Sequence, residues 1–143
     1  MFKDKHGVIA IGAALATFAA SAALNPAPAE VLGSSQAAPR PVDISLTSFK
    51  VTPDALHLKA GQPILLRVAN DSGIAHDLTA PEFFSAAAIR PVDESRISGG
   101  KIAVGPHRNV IIAMIPGAGR FPMKCSHTIH KMLGMSGIIV VDS

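Results

Sequence analysis

Residues 119–141, "GRFPMKCSHTIHKMLGMSGIIVV", decide how this chain reads. Residues 138–141, all β-branched, and 120–124, with Phe121 and Met123 in alternation, read as short strands. The loop between them carries the chain's one cysteine, Cys125, together with His127, His130, Met132 and Met135. A strand, a donor-bearing loop and a second strand place these side chains together at one end of a β-structure. A single cysteine cannot form an internal disulfide, so in an oxidising compartment its thiol needs protection or a task.

Working outward from that loop, the rest of the chain repeats the short-strand pattern. Residues 42–51 alternate, with Val42, Ile44, Leu46 and also Phe49 as candidates for an inner face. In residues 55–59, Leu56 and Leu58 share a face. Residues 63–69 carry Ile64, Leu65, Leu66 and Val68, and the turn-forming Asn70-Asp71-Ser72-Gly73 leads into a further strand after His76. Residues 101–104 and 110–115 add two more, punctuated by Gly105-Pro106 and Pro116-Gly117. Residues 81–89, "PEFFSAAAI", read as the helix of the domain, with Pro and Glu in its first turn. About eight short strands and one short helix imply an all-β sandwich.

The chain has 143 residues, 48% apolar and 16% charged, which fits one compact domain with a sizeable core. It opens with a basic stretch, residues 1–7, followed by an uncharged apolar run at 8–24 and a Pro/Ala-rich segment at 25–41. This reads as an export signal over residues 1–29, a linker over 30–41 and a folded domain over 42–143. Two small-residue sites suit cleavage, Ala20-Ser21-Ala22 and Ala27-Pro28-Ala29, the second being preferred. An uncleaved membrane anchor is the alternative, because 17 residues sit at the lower edge of a spanning length. No cysteine follows the run to take a lipid, and the basic stretch holds no twin arginine. Beyond residue 29 there are 11 Lys and Arg against 9 Asp and Glu, scattered along the chain. With no Trp or Tyr either, nucleic-acid binding is not expected.

The donors carry the function. Cys125, His130 and Met135 follow a Cys-x4-His-x4-Met spacing. A thiolate, an imidazole and a thioether form a soft set, and one further imidazole completes the trigonal His2Cys site with a weak axial Met that suits copper. His76, after "NDSGIAHD", is the best candidate for that imidazole, brought from far upstream by a neighbouring strand.

In these residues the chain resembles the cupredoxins, the blue copper proteins, and in particular small exported bacterial domains akin to plastocyanin and azurin. The resemblance covers residues 42–143 and rests on "NDSGIAHD", "GRFPMKC" and "CSHTIHKMLGMSGIIVV". It implies a Greek-key sandwich, His76, Cys125 and His130 as strong copper ligands and Met135 as the weak axial one. It further implies a periplasmic one-electron carrier with a single type 1 copper, exported by the general secretory route. The loop departs from relatives: plastocyanin-like loops have a shorter Cys-to-His gap, azurin-like loops a shorter His-to-Met gap, and Thr128-Ile129 stands where many have Pro-Gly. Relatives often follow the first histidine with Asn or Ser, where this chain has Asp77. Asp77 is expected to bond toward Ser126 and to lower the reduction potential by favouring the more positive metal state.

The remaining donors read more plainly. Met132 lies too close to His130 to share a metal with it and reads as rim or core, Met114 and Met123 as core filling, and Phe83 and Phe84 as helix packing. His57 and His107 read as ordinary strand or loop residues. His127 reads as a supporting or surface residue, with auxiliary copper binding as its other role. Ile74, Ala75, Ile129, Met132 and Leu133, edged by Lys131, form an expected apolar docking patch around His130 for a redox protein partner of a monomeric carrier. A copper-buffering, delivery or resistance protein, docking a copper-handling partner instead, is the second reading, favoured by His127 and Met132. An enzyme is not expected: the chain has no His-x-His pair, no Cys-x-x-Cys-His motif and no base placed to activate Cys125.

Overall fold

The computed structural model describes residues 37–127 and 134–143. The signal segment, most of the linker, and His130, Ile129, Lys131, Met132 and Leu133 of the donor loop lie outside the described residues. The described part falls within one compact unit, Ser35–Ser143.

Alternation builds the first sheet. In β1 (Arg40–Thr47), Val42, Ile44 and Leu46 point inward, and in β4 (Ile64–Asn70) Ile64, Leu66 and Val68 do the same. β1 and β4 run parallel, Val42 opposite Leu66, so their inner faces coincide. β2 (Lys50–Thr52) flanks β1, and β8 (Asn109–Ile115) lies antiparallel to β4 with Ile112 and Met114 buried. β6 (Ala88–Ile89) completes the order β2-β1-β4-β8-β6.

The second sheet runs β3-β10-β9-β5-β7, with β3 (Ala55–Lys59), β5 (His76–Thr79), β7 (Lys101–Val104), β9 (Gly119–Lys124) and β10 (Ser136–Asp142). Leu56, Leu58, Leu78, Ile102, Phe121, Met123 and Ile139 from this sheet and the inward residues of the first form one core. Each buried aliphatic of that size contributes about 1.5–3 kcal/mol relative to exposure. β10 enters parallel to β3 and packs so closely there that a side chain at Gly137 would collide with the Asp54 carbonyl oxygen. Neighbouring strands are mostly not consecutive in sequence, as crossing between two sheets requires, and the expected cupredoxin-like β-sandwich is what the chain forms.

Three local expectations are corrected. The single strand expected over 42–51 is two, β1 and β2, folded about a turn at Ser48 and Phe49. Phe49 adopts φ 72° and lies exposed instead of facing inward. The helix α1 (Pro81–Ala86) ends three residues earlier than its composition implies. Ala87 is extended, and Ala88 and Ile89 pair with Ile115 and Met114, a ladder that outweighs the helix propensity of the Ala run. A 3₁₀ turn, Pro91–Arg96, follows where no element was expected. Phe83 and Phe84 are buried as expected, the Phe83 ring 5.7 Å from that of Phe121.

Asp93, on the 3₁₀ turn, anchors this connection. Its buried carboxylate accepts from Arg90 Nε at 2.9 Å and from the Ala113 N–H at 3.1 Å, with Arg96 Nε 3.6 Å away. Hydrogen bonding from Arg90, then from Ala113, outweighs burial and holds its pKa below the ordinary 3.8. Because the folded value is depressed, the unfolded chain binds the proton more readily. The stabilisation is therefore complete above about pH 5 and falls away as pH drops below about 4. Asp93→Ala should cost about 2 kcal/mol in urea unfolding at pH 7, and its deficit against the parent protein should shrink through that acid window.

Candidate metal centre

His76 is placed by a loop that the side chain of Asn70 organises. Asn70, buried at the end of β4, donates from Nδ2 toward the carbonyls of Ile74 at 2.7 Å, Gly105 at 3.0 Å and Val104 at 3.1 Å. Its Oδ1 accepts from the N–H of Ser72 at 3.0 Å and from the Ser72 hydroxyl at 2.8 Å. One amide thus ties β4, the 70–76 loop and the end of β7 together, and His76 opens β5 directly opposite Val104. The sequence reading treated these residues only as a turn. The signal available was Asn followed two positions later by Ser, the pattern of an Asx-type turn.

Cys125 follows the last residue of β9, and its N–H donates to the Met135 carbonyl at 3.0 Å. This bond closes the donor loop where β10 begins. Gly134, with φ 86°, makes the turn before Met135, a conformation that glycine adopts without penalty. His76, Cys125 and Met135 are each at most 1% exposed. The Nδ1 of His76 lies 3.9 Å from the Sγ of Cys125. Of the four residues expected to bind copper, the structure thus brings His76 and Cys125 into contact and seats Met135 beside Cys125 through the backbone. His130 falls outside the described residues.

Asp77 holds the two halves in place. Its Oδ1 accepts from the Ser126 N–H at 2.8 Å and from the Thr79 hydroxyl at 2.6 Å, and its Oδ2 accepts from the Ser126 hydroxyl at 2.7 Å. The bond toward Ser126 expected from the sequence is therefore present, as a pair. Burial pushes the Asp77 carboxyl up, but the hydrogen bonds from Thr79 and Ser126 and the nearby Lys101 ammonium outweigh it and hold the group below its ordinary range. A fixed negative charge therefore stands beside the thiol, whose Sγ is 3.9 Å from Oδ2.

The donors fit a metal. Ligand bonds of about 2.0–2.1 Å to nitrogen and 2.3 Å to sulfur, at angles between tetrahedral and trigonal, place the two donor atoms roughly 3.6–3.8 Å apart. The observed 3.9 Å between His76 and Cys125 needs little adjustment. Asp77, Cys125 and His127 form a second convergent group, their donor atoms all within 4.8 Å of one another. His127, half exposed, has Nε2 3.7 Å from Asp77 Oδ2. Met114 and Met123 are core, as expected, and His57 is exposed on β3.

No family model matches the chain, and no curated protein sequence matches it significantly. Solved structures do. The dithionite-reduced auracyanin of the photosynthetic bacterium Roseiflexus castenholzii aligns with a TM-score of 0.55 at 14% identity, over 75% of this chain and 100% of that one. Auracyanin B aligns with a TM-score of 0.52 at 14% identity, over 75% and 92%. Auracyanin A of Chloroflexus aurantiacus, described as a "blue" copper protein, gives 0.48 at 19% identity over 71% and 99%, too weak a likeness to add to the argument. At these identities the likeness establishes the fold, which is that of the cupredoxins.

Asn70→Ala should lower stability by about 2–4 kcal/mol, the loss of several buried hydrogen bonds at one group. Because Asn70 anchors the loop before His76, the loss should be accompanied by broadening of the His76 ring resonances. A variant with an intact His76 spectrum would contradict the positioning role.

Proposed function

We propose that this protein is a periplasmic one-electron carrier of the blue-copper type, with His76, Cys125 and His130 as strong ligands and Met135 as the weak axial one. The observation that carries this reading is the water-excluded contact between His76 Nδ1 and Cys125 Sγ at the end of a cupredoxin sandwich, with buried Met135 adjoining. His130 is assigned by its spacing in the loop. The capture of an auracyanin of this fold in a chemically reduced state is in keeping with a redox role. Copper, when bound, supplies a one-electron couple between +1 and +2.

The chain's own residues do the rest. The Asn70 clasp fixes the approach of His76, the Asp77–Ser126 pair fixes that of Cys125, and the Cys125–Met135 backbone bond joins the two ends of the donor loop. Rigid donors keep rearrangement small when the metal charge changes, which favours fast transfer. The core beneath, with Val68, Leu78, Val104 and Met123 all buried, excludes water. Electrons would leave through the histidine ligands to a docked redox protein. Ile74, 46% exposed and two residues from His76, offers apolar surface for docking, and a small apolar contact suits a transient complex of a monomeric carrier. No described helix is long and apolar enough to cross a membrane. Residues 1–29 are read as the export signal and no catalytic activity is assigned.

Copper buffering or delivery is the second reading, and the convergence of Asp77 and His127 on Cys125 favours it. Loading with Cu(II) separates the two. An electron carrier develops an intense thiolate-to-copper absorption and a reversible reduction potential, whereas a delivery protein binds Cu(I) without colour. Cys125→Ser should abolish the absorption; its survival would overturn the assignment. Asp77→Asn should raise the potential, because the carboxylate favours the more positive oxidised state. A unit charge at this distance is worth on the order of 1 kcal/mol or more, tens of millivolts for one electron.

A further inference from the structure

We propose that Asp77 and His127 form an outer metal-docking position through which a cation reaches Cys125, a relay that rests on the copper-site reading above. Asp77 Oδ1 is filled by two donors, Ser126 N–H and Thr79 hydroxyl. Oδ2 accepts the Ser126 hydroxyl at 2.7 Å and the Cys125 thiol at 3.9 Å, with His127 Nε2 3.7 Å away. Oxygen, nitrogen and sulfur donors thus converge on one point from three directions. Asp77 and His127 face a surface recess of about 350 Å³ whose lining also includes His76, Ser126 and Lys101, and buried Cys125 lies behind it.

The two positions share Cys125 but differ in character. The inner one, with His76, Cys125 and Met135, is buried and soft, which suits copper. The outer one replaces a thioether by a carboxylate and keeps His127 half exposed, so it takes a hydrated cation and strips its water stepwise. Lys101, lining the same recess, repels a cation and keeps the outer position weak, which makes transfer inward downhill. As the metal moves in, the Cys125 thiol gives up its proton to water in the recess and the S–metal bond forms. No electron is exchanged. His127 then lies on the path and not at the destination.

The test is the rate of metal uptake by the full-length apoprotein, parent against His127→Ala, with two probes: Cu(II) followed by the thiolate absorption, and Zn(II) followed by its release from an indicator chelate. Uptake should slow about tenfold with both metals, and release to a strong chelator should slow equally. The final copper spectrum should not change, because His127 is no ligand of the inner position. Unchanged uptake rates would overturn the relay, and so would an altered final spectrum, which would place His127 in the inner site. If the parent protein gives no thiolate absorption but zinc uptake still slows in His127→Ala, the copper-carrier reading fails and the outer position stands.

Discussion

The pair of hydrogen bonds from Ser126 to the Asp77 carboxylate is the joint on which the rest of the site depends. β5 and β9 are neighbours in the sheet, yet the paired register between them is the single step Thr79–Lys124. Among the described residues no further paired step fixes where His76 lies relative to Cys125. The carboxylate takes over that task, receiving both the N–H and the hydroxyl of the residue after the cysteine. A charged acceptor makes these bonds stronger than neutral ones. The same group that aligns His76 and Cys125 also sets their local charge, so geometry and electrostatics cannot be varied independently at position 77.

Much of this was legible in the sequence because the strands alternate cleanly. Val42, Ile44 and Leu46, or Leu56 and Leu58, can face only one way in a sandwich, and the core is built from them. Cys125, His130 and Met135 could be singled out as soft donors in one loop after a strand, His76 as an imidazole brought from upstream, and the Asp77–Ser126 bond through the resemblance to blue copper proteins, where the residue after the first histidine ties the two loops together. The misses share a physical cause. Phe49 is apolar and in phase with the strand before it, yet the chain reverses there, and alternation cannot register a backbone turn. Ala88 and Ile89 follow a helix-forming run but complete the edge of β8, a decision made by a strand distant in sequence. Asn70, Asp93 and His127 act through partners scattered along the chain, such as Gly105, Ala113 and Asp77, which no local pattern reveals.

The two buried polar hubs divide the labour. Asp93, with two half-exposed arginines, secures the connection between the sheets and has no part in the donor cluster. Asn70 is neutral, which lets it bridge three carbonyls close to a prospective cation without adding charge to the site. A carboxylate in its place could not donate to those carbonyls, and a hydrophobic residue would strand them in a water-poor interior.

The placement of β10 has a consequence for the order of events during folding. This strand lies inside the second sheet, paired with β3 from early in the chain and with β9 just before it. Until residues 136–142 are available, β3 has no neighbour in its sheet and the core is open along Leu56, Leu58 and Phe121. The parallel pairing with β3 spans some eighty residues, a contact of high sequence separation that forms slowly. The cysteine-bearing loop leads directly into that strand, so its donors come to rest in the same step that closes the core. The bond between Cys125 and Met135 and the closing of the core therefore belong to one late event.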